Sequence, residues 1–199
     1  MHFALTEEQE MIRDSAKEFA ERILKPDAAE LDAAESFPEK AVKEAVEMGF
    51  LGLVVDEKYG GAGLGNVHLV VLLEEINRWD PSVGVTLSVH ISLVCACIQK
   101  WGGDAVKENY LPRLASGEIL GAYCLTEPQA GSDAANLKTK AAKVDGGWKI
   151  TGTKSWITTG AQAGLYLVYA ITDTNGRRGS NIGAFLVERD AEGVEVGKK

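Results

Sequence analysis

Residues 121–133 combine residue types that could hold a ligand. The apolar segment 121–125 predicts a short strand, and the polar segment that follows it contains Pro128 and Gly131. Because Pro128 lacks a backbone N–H and Gly131 tolerates positive φ angles, we expect an irregular loop at the strand end. Such a loop leaves backbone N–H groups and two hydroxyls available for a ligand. A polar turn between strands is the competing interpretation.

A second stretch, residues 152–160, places a large aromatic side chain beside hydroxyl groups. Trp156 is followed by an isoleucine and two threonines, and glycines bound the run. The indole ring offers a flat face, and the threonines offer hydrogen-bond donors. Taken alone, Trp156 is more typical of a core side chain. Taken with residues 121–133, the stretch favours a ligand site.

Composition and charge exclude several classes of function. Of the 199 residues, 45% are hydrophobic and 25% are charged, which is ordinary for a globular protein. The formal net charge of −8 argues against nucleic-acid binding, which needs a basic surface. The apolar run 83–98 is shorter than the roughly 20 residues of a membrane span, so we expect a buried helix there and no span. The cysteines lack metal-type spacing, and no metal site is expected.

Helical periodicity dominates the first part of the chain. Thr6 and Gln9 predict a capping box at the start of the first helix, and Pro26 predicts its end near Lys25. Further helices follow from apolar residues at helical spacing. The segment 83–98 is apolar nearly all round and should lie at the centre of a helical bundle.

A glycine-rich loop, residues 59–65, precedes one of these helices. The glycines Gly61, Gly63 and Gly65 do not match the phosphate-binding pattern G-x-G-x-x-G, because position 66 is Asn66. No βαβ pattern follows the loop. The sequence therefore favours a flexible turn over a phosphate-binding loop.

After Leu120 the apolar period changes from near 3.6 to near 2, which indicates strands. Strands are predicted at residues 121–125, 138–144, 148–152, 165–172 and 182–188. We therefore predict an α+β chain with two domains. The first, residues 1–117, is an all-helical bundle, and the second, residues 118–199, is an antiparallel β-barrel-like domain.

The two polar stretches together resemble the flavin-binding signatures of the acyl-CoA dehydrogenase family. The segment Leu125-Thr-Glu-Pro-x-Ala-Gly-Ser-Asp133 is a close match, and the likeness extends over the whole chain. The nearest branch resembles the short-chain, butyryl-type enzymes. The resemblance implies FAD as cofactor and α,β-dehydrogenation of short-chain acyl-CoA thioesters to trans-2-enoyl-CoA.

The resemblance also implies which residues bind the cofactor: Tyr123, Leu125, Thr126, Gly131, Ser132, Trp156, Ile157 and Thr158. Trp156 would offer its face to the isoalloxazine ring, and Thr158 would hydrogen-bond near the flavin N5. Thr126 and the backbone before it would serve the pyrimidine end, and Tyr123 would line the same cavity. Ser132 would contact the flavin phosphate region or the CoA part of the substrate.

The catalytic base of the family is a glutamate in a C-terminal four-helix domain, and the sequence carries no counterpart of that domain after Lys199. No catalytic residue is therefore assigned. Glu127 lies within the motif, and its family role is structural. The resemblance further implies an acyl-CoA substrate and an electron-transferring flavoprotein as acceptor. It also implies a homo-oligomer, which is a tetramer in the full-length family.

Two alternatives remain open at this point. One is a catalytically inactive fragment or module that binds FAD, acyl-CoA or a partner without turnover. The other is an oxidase or monooxygenase on the same scaffold. Because the chain runs from Met1 directly into a helix start, we expect a cytoplasmic protein, or a mitochondrial matrix protein if it is a mature eukaryotic chain.

Overall fold

The computed structural model describes residues 4–197. The chain divides into two compact units, Met1–Ile119 and Leu120–Lys199. The first is helical and the second is built on a β-sheet, which confirms the predicted order of helices followed by strands. Residues 1–3 and 198–199, which the predicted domains include, lie outside the described residues.

The helical unit begins as the sequence predicts. The side chain of Thr6 accepts a hydrogen bond from the Gln9 N–H (3.3 Å), and the Gln9 side chain accepts one from the Thr6 N–H (3.0 Å), which completes the capping box. The α-helices of this unit are α1 (Glu7–Phe19), α2 (Lys25–Ala33), α3 (Glu39–Glu47), α4 (Asn66–Asn77), α5 (Pro81–Ser88), α6 (Ala96–Trp101) and α7 (Asp104–Ala115).

The predicted helix end near Pro26 is wrong, because the helix continues through Pro26 into α2. A π-helical turn, Ala20–Leu24, joins α1 to α2, and the Lys25 N–H donates to the carbonyl of Ala20, five residues back. This wider turn shifts the hydrogen-bond register just before Pro26, which cannot donate to a carbonyl four residues back. Pro26 thus lies in the first turn of α2, where proline is tolerated.

The central helix is longer than its apolar core suggests. Helices α5 and α6, joined by the π-helical segment Val89–Cys95, form one helix of 21 residues, Pro81–Trp101. By length and composition alone it could cross a membrane, contrary to the length argument made from the sequence. Half of its most apolar 18-residue stretch is buried inside the protein, as in the core helix of a folded domain. Its buried side chains include Val83, Leu87, Ile91, Val94 and Ile98.

The glycine-rich loop 59–65 is tied to the turn before it. Three backbone hydrogen bonds join the two segments, from Ala62 to Gly52 (3.0 Å), from Gly63 to Val55 (2.8 Å) and from Leu64 to Leu53 (2.9 Å). A Cβ at Gly61 would lie 2.1 Å from the Val55 carbonyl oxygen, so only glycine permits this approach. The glycine at this position therefore serves backbone packing.

Each predicted strand is present in the second unit, and its ends lie within two residues of the predicted ones. The strands are β1 (Gly121–Cys124), β2 (Lys140–Val144), β3 (Gly147–Thr151), β4 (Leu165–Ile171) and β5 (Ile182–Glu188). Their order in the sheet is β1-β4-β2-β3, and β5 pairs with β4. The alternation of apolar residues located these strands because a half-buried strand repeats with a period of about two residues.

The sheet is mixed, whereas the sequence predicts an antiparallel one. The β2–β3 and β4–β5 pairs are antiparallel, but β1 and β2 both run parallel to β4. Residues 125–164 separate β1 from β4, so no hairpin sets their relative direction. Apolar alternation reports which face is buried and carries no information on strand direction.

One face of β1 lies on a small core. The buried members of this core are Ala122, Cys124, Ala163 and Tyr166, and Ile157, Val168, Val187 and Val194 pack against them. Alternate residues of β1 point to opposite faces of the sheet. Tyr123 therefore lies on the other face, where its ring centroid is 5.1 Å from that of Tyr169.

His90 makes the helical unit sensitive to acid. Its Nε2–H donates to the Leu114 carbonyl (3.1 Å), and burial lowers the pKa of the imidazole from 6.5 to about 4. The unfolded chain therefore takes up a proton more readily, so stability falls as the pH decreases from 6.5 to 4, by up to about 3 kcal/mol. Denaturant unfolding at pH 7 and pH 4.5 measures this loss.

The matched variant is His90→Gln, whose side-chain amide can still donate to the Leu114 carbonyl but does not titrate. We expect its free energy of unfolding to change less than that of the parent chain between the two pH values. An equal change in parent and variant would show that His90 is not the titrating group.

Candidate functional site

The predicted cofactor residues lie in two segments of the second unit. Residues 123–132 comprise the end of β1 and the loop after it, and residues 156–158 follow β3. The Ser155 N–H donates to the Thr126 carbonyl (2.9 Å), which places the start of the second segment beside the first. The structure thus joins the two stretches that the sequence singles out.

A buried ion pair reinforces this junction. The Lys154 ammonium donates to Glu127 Oε1 (2.8 Å) and to the Leu125 carbonyl (3.0 Å). The two charged side chains are 11% and 2% exposed, respectively. Lys154 is absent from the predicted site residues. One acidic residue in the first motif and one basic residue in the second is the sequence signal that could have revealed it.

Glu127 accepts three further hydrogen bonds. They come from the backbone N–H of Lys138 (2.6 Å), the backbone N–H of Thr139 (3.0 Å) and the side chain of Gln129 (2.6 Å). Burial alone would raise the pKa of Glu127, but the bonds from Lys154, Thr139 and Lys138 outweigh burial and lower it to about 2. A carboxylate held ionised in this way is unsuited to act as a general base, so its role is structural.

The first segment turns tightly after this carboxylate. Glu127 and Ala130 exchange two backbone hydrogen bonds of 3.0 Å, which leaves Pro128 exposed at the turn. Gly131 and Ser132 are exposed, and a Cβ at Gly131 would meet no atom within 4 Å. The φ angle of Gly131 is not positive. The feature that Gly131 offers a ligand is therefore open space beside its backbone. A positive φ angle, which the sequence suggests, is not needed here.

The second segment presents an aromatic face. Trp156 is 93% exposed, which rules out the core role that its residue type suggests. Its neighbour Ile157 packs against the core of β1 and anchors the segment. Both Trp156 and Thr159 adopt left-handed backbone conformations, with φ angles of 58° and 59°. For a β-branched or bulky residue this conformation is strained, and such strain concentrates at ligand sites.

The far end of this segment is held by the sheet. The Tyr166 hydroxyl donates to the Gly160 carbonyl (2.9 Å), and the Ala163 N–H donates to the Thr159 carbonyl (2.8 Å). The Gly160 N–H donates to the Ile157 carbonyl (3.0 Å). Residues 156–159 are therefore held at both ends and by Ile157 in the core, while the side chain of Trp156 faces outward.

The site leaves several donors available. Within residues 4–197, the backbone N–H groups of Trp156, Ile157 and Thr158 donate to no acceptor, and neither do the hydroxyls of Thr126 and Thr158. An exposed flat ring beside such donors can receive a planar ligand with acceptors along its edge. Stacking and edge recognition are thus both provided by these two neighbouring segments.

The same region offers no obvious nucleophile or metal site. Burial raises the pKa of the Cys124 thiol to about 12, although the Lys154 ammonium opposes this shift, so the thiol stays protonated. No group of three His, Cys, Asp or Glu residues suited to a metal ion occurs in the part of the chain that the structure describes. The exposed ring and the available donors are groups suited to ligand binding by stacking and hydrogen bonding.

Comparison with known families gives two matches that cover nearly the whole chain. Residues 6–118 match the acyl-CoA dehydrogenase N-terminal domain, and residues 122–199 match the acyl-CoA dehydrogenase middle domain. An acyl-CoA dehydrogenase of Bacillus subtilis is 41% identical over 196 residues, covering 98% of this chain and 51% of the relative. A short-chain specific acyl-CoA dehydrogenase of Clostridium acetobutylicum is 40% identical, covering 100% and 52%.

Solved structures agree with these matches. Butyryl-CoA dehydrogenase from Megasphaera elsdenii has a TM-score of 0.92 at 36% identity, covering 97% of this chain and 51% of that one. An FAD complex of PigA has a TM-score of 0.90 at 29% identity, covering 100% and 52%. A structure described as an electron transferring flavoprotein of Acidaminococcus fermentans has a TM-score of 0.95 at 38% identity, covering 100% and 52%. The chain spans about half the length of these relatives.

Removal of the Glu127 carboxylate tests the ion pair. Glu127→Ala leaves the Lys154 ammonium buried without its partner, which we expect to lower the free energy of unfolding by about 3–5 kcal/mol at pH 7. Because the folded-state pKa of Glu127 lies near 2, its stabilisation is present above pH 4.5 and is lost as the pH falls towards 2. The difference in free energy of unfolding between the parent chain and Glu127→Ala should therefore shrink as the pH falls from 4.5 to 2.

The matched control is Glu192→Ala, since Glu192 is exposed in the same unit. We expect it to change the free energy of unfolding by no more than about 0.5 kcal/mol. Denaturant unfolding of the three proteins measures both effects. Equal small losses in the two variants would contradict the structural role of Glu127.

Proposed function

The chain belongs to the acyl-CoA dehydrogenase family, and we propose that it supplies the FAD- and CoA-binding parts of an enzyme that converts short-chain acyl-CoA thioesters to trans-2-enoyl-CoA. The observation that carries this proposal is the exposed, strained Trp156 beside unused hydrogen-bond donors. The match to a short-chain specific relative supports the substrate class.

The residues present fit FAD. The exposed face of Trp156 can stack on the isoalloxazine ring, and the hydroxyl and N–H of Thr158 can bond near N5. Thr126 can serve the pyrimidine edge, with the backbone of Leu125 before it and Tyr123 on β1 nearby in sequence. Bound FAD would supply the electron acceptor for the dehydrogenation. A similar solved structure is an FAD complex, which supports this choice of cofactor.

The residues of this chain would bind and orient the cofactor. Donors that are already fixed before binding stabilise negative charge without reorganisation, which is the electrostatic contribution proposed for Thr126 and Thr158. Ile157 would hold the loop in place through its contact with the core. The exposed Gly131 and Ser132 would contact the flavin phosphate region or the CoA moiety, since nothing crowds the Gly131 backbone.

The chain carries no assigned base for the α-proton. That proton is weakly acidic, so its removal requires a carboxylate whose pKa is raised by burial. Glu127 has the opposite property, because its hydrogen bonds lower its pKa to about 2. This observation favours a second candidate function, a module that binds FAD and acyl-CoA without turnover. The chain covers about half the length of each of its relatives, and this coverage agrees with both candidate functions.

The partners and the cellular location are proposed from membership of the family. We propose an electron-transferring flavoprotein as electron acceptor, and a homo-oligomer as the assembled state. The location would be the cytoplasm, or the mitochondrial matrix; two isovaleryl-CoA dehydrogenase relatives are mitochondrial proteins.

Removal of the Trp156 ring tests the proposed cofactor site. We expect the 199-residue chain to bind FAD and Trp156→Ala to bind it at least about tenfold more weakly, because one stacking face is lost. The free energy of unfolding should change by less than about 0.5 kcal/mol, since the side chain is 93% exposed. Titration of FAD, followed by absorption and tryptophan fluorescence, measures the affinity.

Trp148→Ala is the matched control, because Trp148 lies on β3, outside the predicted cofactor residues, and its ring contacts Phe185 (ring centroids 5.4 Å apart). It should bind FAD like the parent chain. Equal affinity in parent and Trp156→Ala would overturn the site. Addition of butyryl-CoA to the FAD-bound chain then separates the two functions, since bleaching of the flavin bands requires a base and persistence of the bands indicates a binding module.

A further inference from the structure

The peptide unit between Leu125 and Thr126 is held from one side. Its carbonyl oxygen accepts a hydrogen bond from the Lys154 ammonium (3.0 Å). The next carbonyl, that of Thr126, accepts one from the Ser155 N–H (2.9 Å). Two consecutive residues of the second segment thus fix the two peptide units that flank Thr126.

The orientation of this carbonyl determines that of the Thr126 N–H. No cis peptide bond occurs within the described residues. In a planar trans peptide, the C=O of Leu125 and the N–H of Thr126 point in opposite directions. The Thr126 N–H therefore points away from Lys154, and no acceptor within residues 4–197 receives it. A donor that is fixed but unused suits a ligand.

The charge on Lys154 strengthens this donor. An ammonium bonded to a carbonyl polarises the amide, and the effect passes along the peptide to its N–H. The Lys154 side chain is only 11% exposed, and its ammonium donates to the Leu125 carbonyl and to Glu127. With its ammonium committed to these two acceptors, Lys154 is placed to influence a ligand through the peptide unit.

We propose that Lys154 is a positioning residue for the cofactor: through the Leu125 carbonyl it orients and polarises the Thr126 N–H as a donor to the pyrimidine edge of FAD. The identity of the ligand rests on the proposed function. Glu127 completes the arrangement, because it neutralises the buried ammonium and holds it at the Leu125 carbonyl. A purely structural ion pair would stabilise the unit without affecting the cofactor.

Variants of Lys154 separate these roles. Lys154→Met keeps a stem of similar length and removes the donor and the charge, whereas Lys154→Arg keeps both. Lys154→Gln keeps a neutral donor, and it serves as the loss-of-charge variant if the methionine variant does not fold. The control is Lys149→Met, because Lys149 is exposed on β3. Denaturant unfolding of each variant identifies those that fold.

The first measurement needs no cofactor. Backbone NMR of the parent and variant chains reports the Leu125 carbonyl ¹³C and Thr126 amide ¹H resonances. We expect both resonances to move in Lys154→Met, to move less in Lys154→Gln, and to stay in place in Lys149→Met. Unchanged resonances in a folded Lys154→Met or Lys154→Gln chain would overturn the proposal.

The second measurement uses FAD. We expect Lys154→Met to bind FAD about tenfold more weakly and to give the bound flavin a more negative reduction potential, with Lys154→Arg close to the parent chain. Unchanged affinity and potential in a folded Lys154→Met chain would overturn the cofactor role. If the parent chain binds no FAD, the proposed function fails and the cofactor role fails with it, while the NMR comparison still decides whether Lys154 orients the peptide.

Discussion

The buried contact between Glu127 and Lys154 is the interaction on which the candidate site depends. The carboxylate receives four hydrogen bonds, from the two residues before β2, from its own turn and from the segment after β3. Removing two charges from water is costly, and a buried pair offsets that cost only when further hydrogen bonds satisfy both groups. Lys154 meets this condition by also bonding Leu125. Three chain segments distant in sequence therefore meet at one point.

The surface above this point is open and under backbone strain. Trp156 and Thr159 hold left-handed conformations that cost roughly 1–3 kcal/mol each, and the surrounding contacts must support them. Ile157 in the core and Tyr166 on the sheet provide that support. The strain lowers the stability of the unit, and it keeps an aromatic face and hydrogen-bond donors exposed. Binding of a flat cofactor would then require little rearrangement, which is the condition for electrostatic preorganisation.

Local sequence patterns predicted the features that local interactions determine. The capping box at Thr6 and the positions of the five strands follow from short-range patterns, and the structure confirms them. The parallel direction of β1 and β4 depends on distant segments, and the passage of the helix through Pro26 depends on a π-helical turn. Residue type alone left Trp156 ambiguous between core and ligand site. The role of Lys154 emerges only when the two motifs are folded together, and the cofactor assignments remain predictions.

Amide hydrogen exchange of the chain without FAD tests most directly whether the site is organised before a ligand binds. The N–H groups of Lys138, Thr139 and Ser155 donate to Glu127 and its neighbour Thr126, so they should exchange slowly, at rates near those of the sheet. Among residues 4–197, the N–H groups of residues 156–158 find no acceptor and should exchange fast, which provides a control next to Ser155. Fast exchange at all six positions would contradict a preformed site.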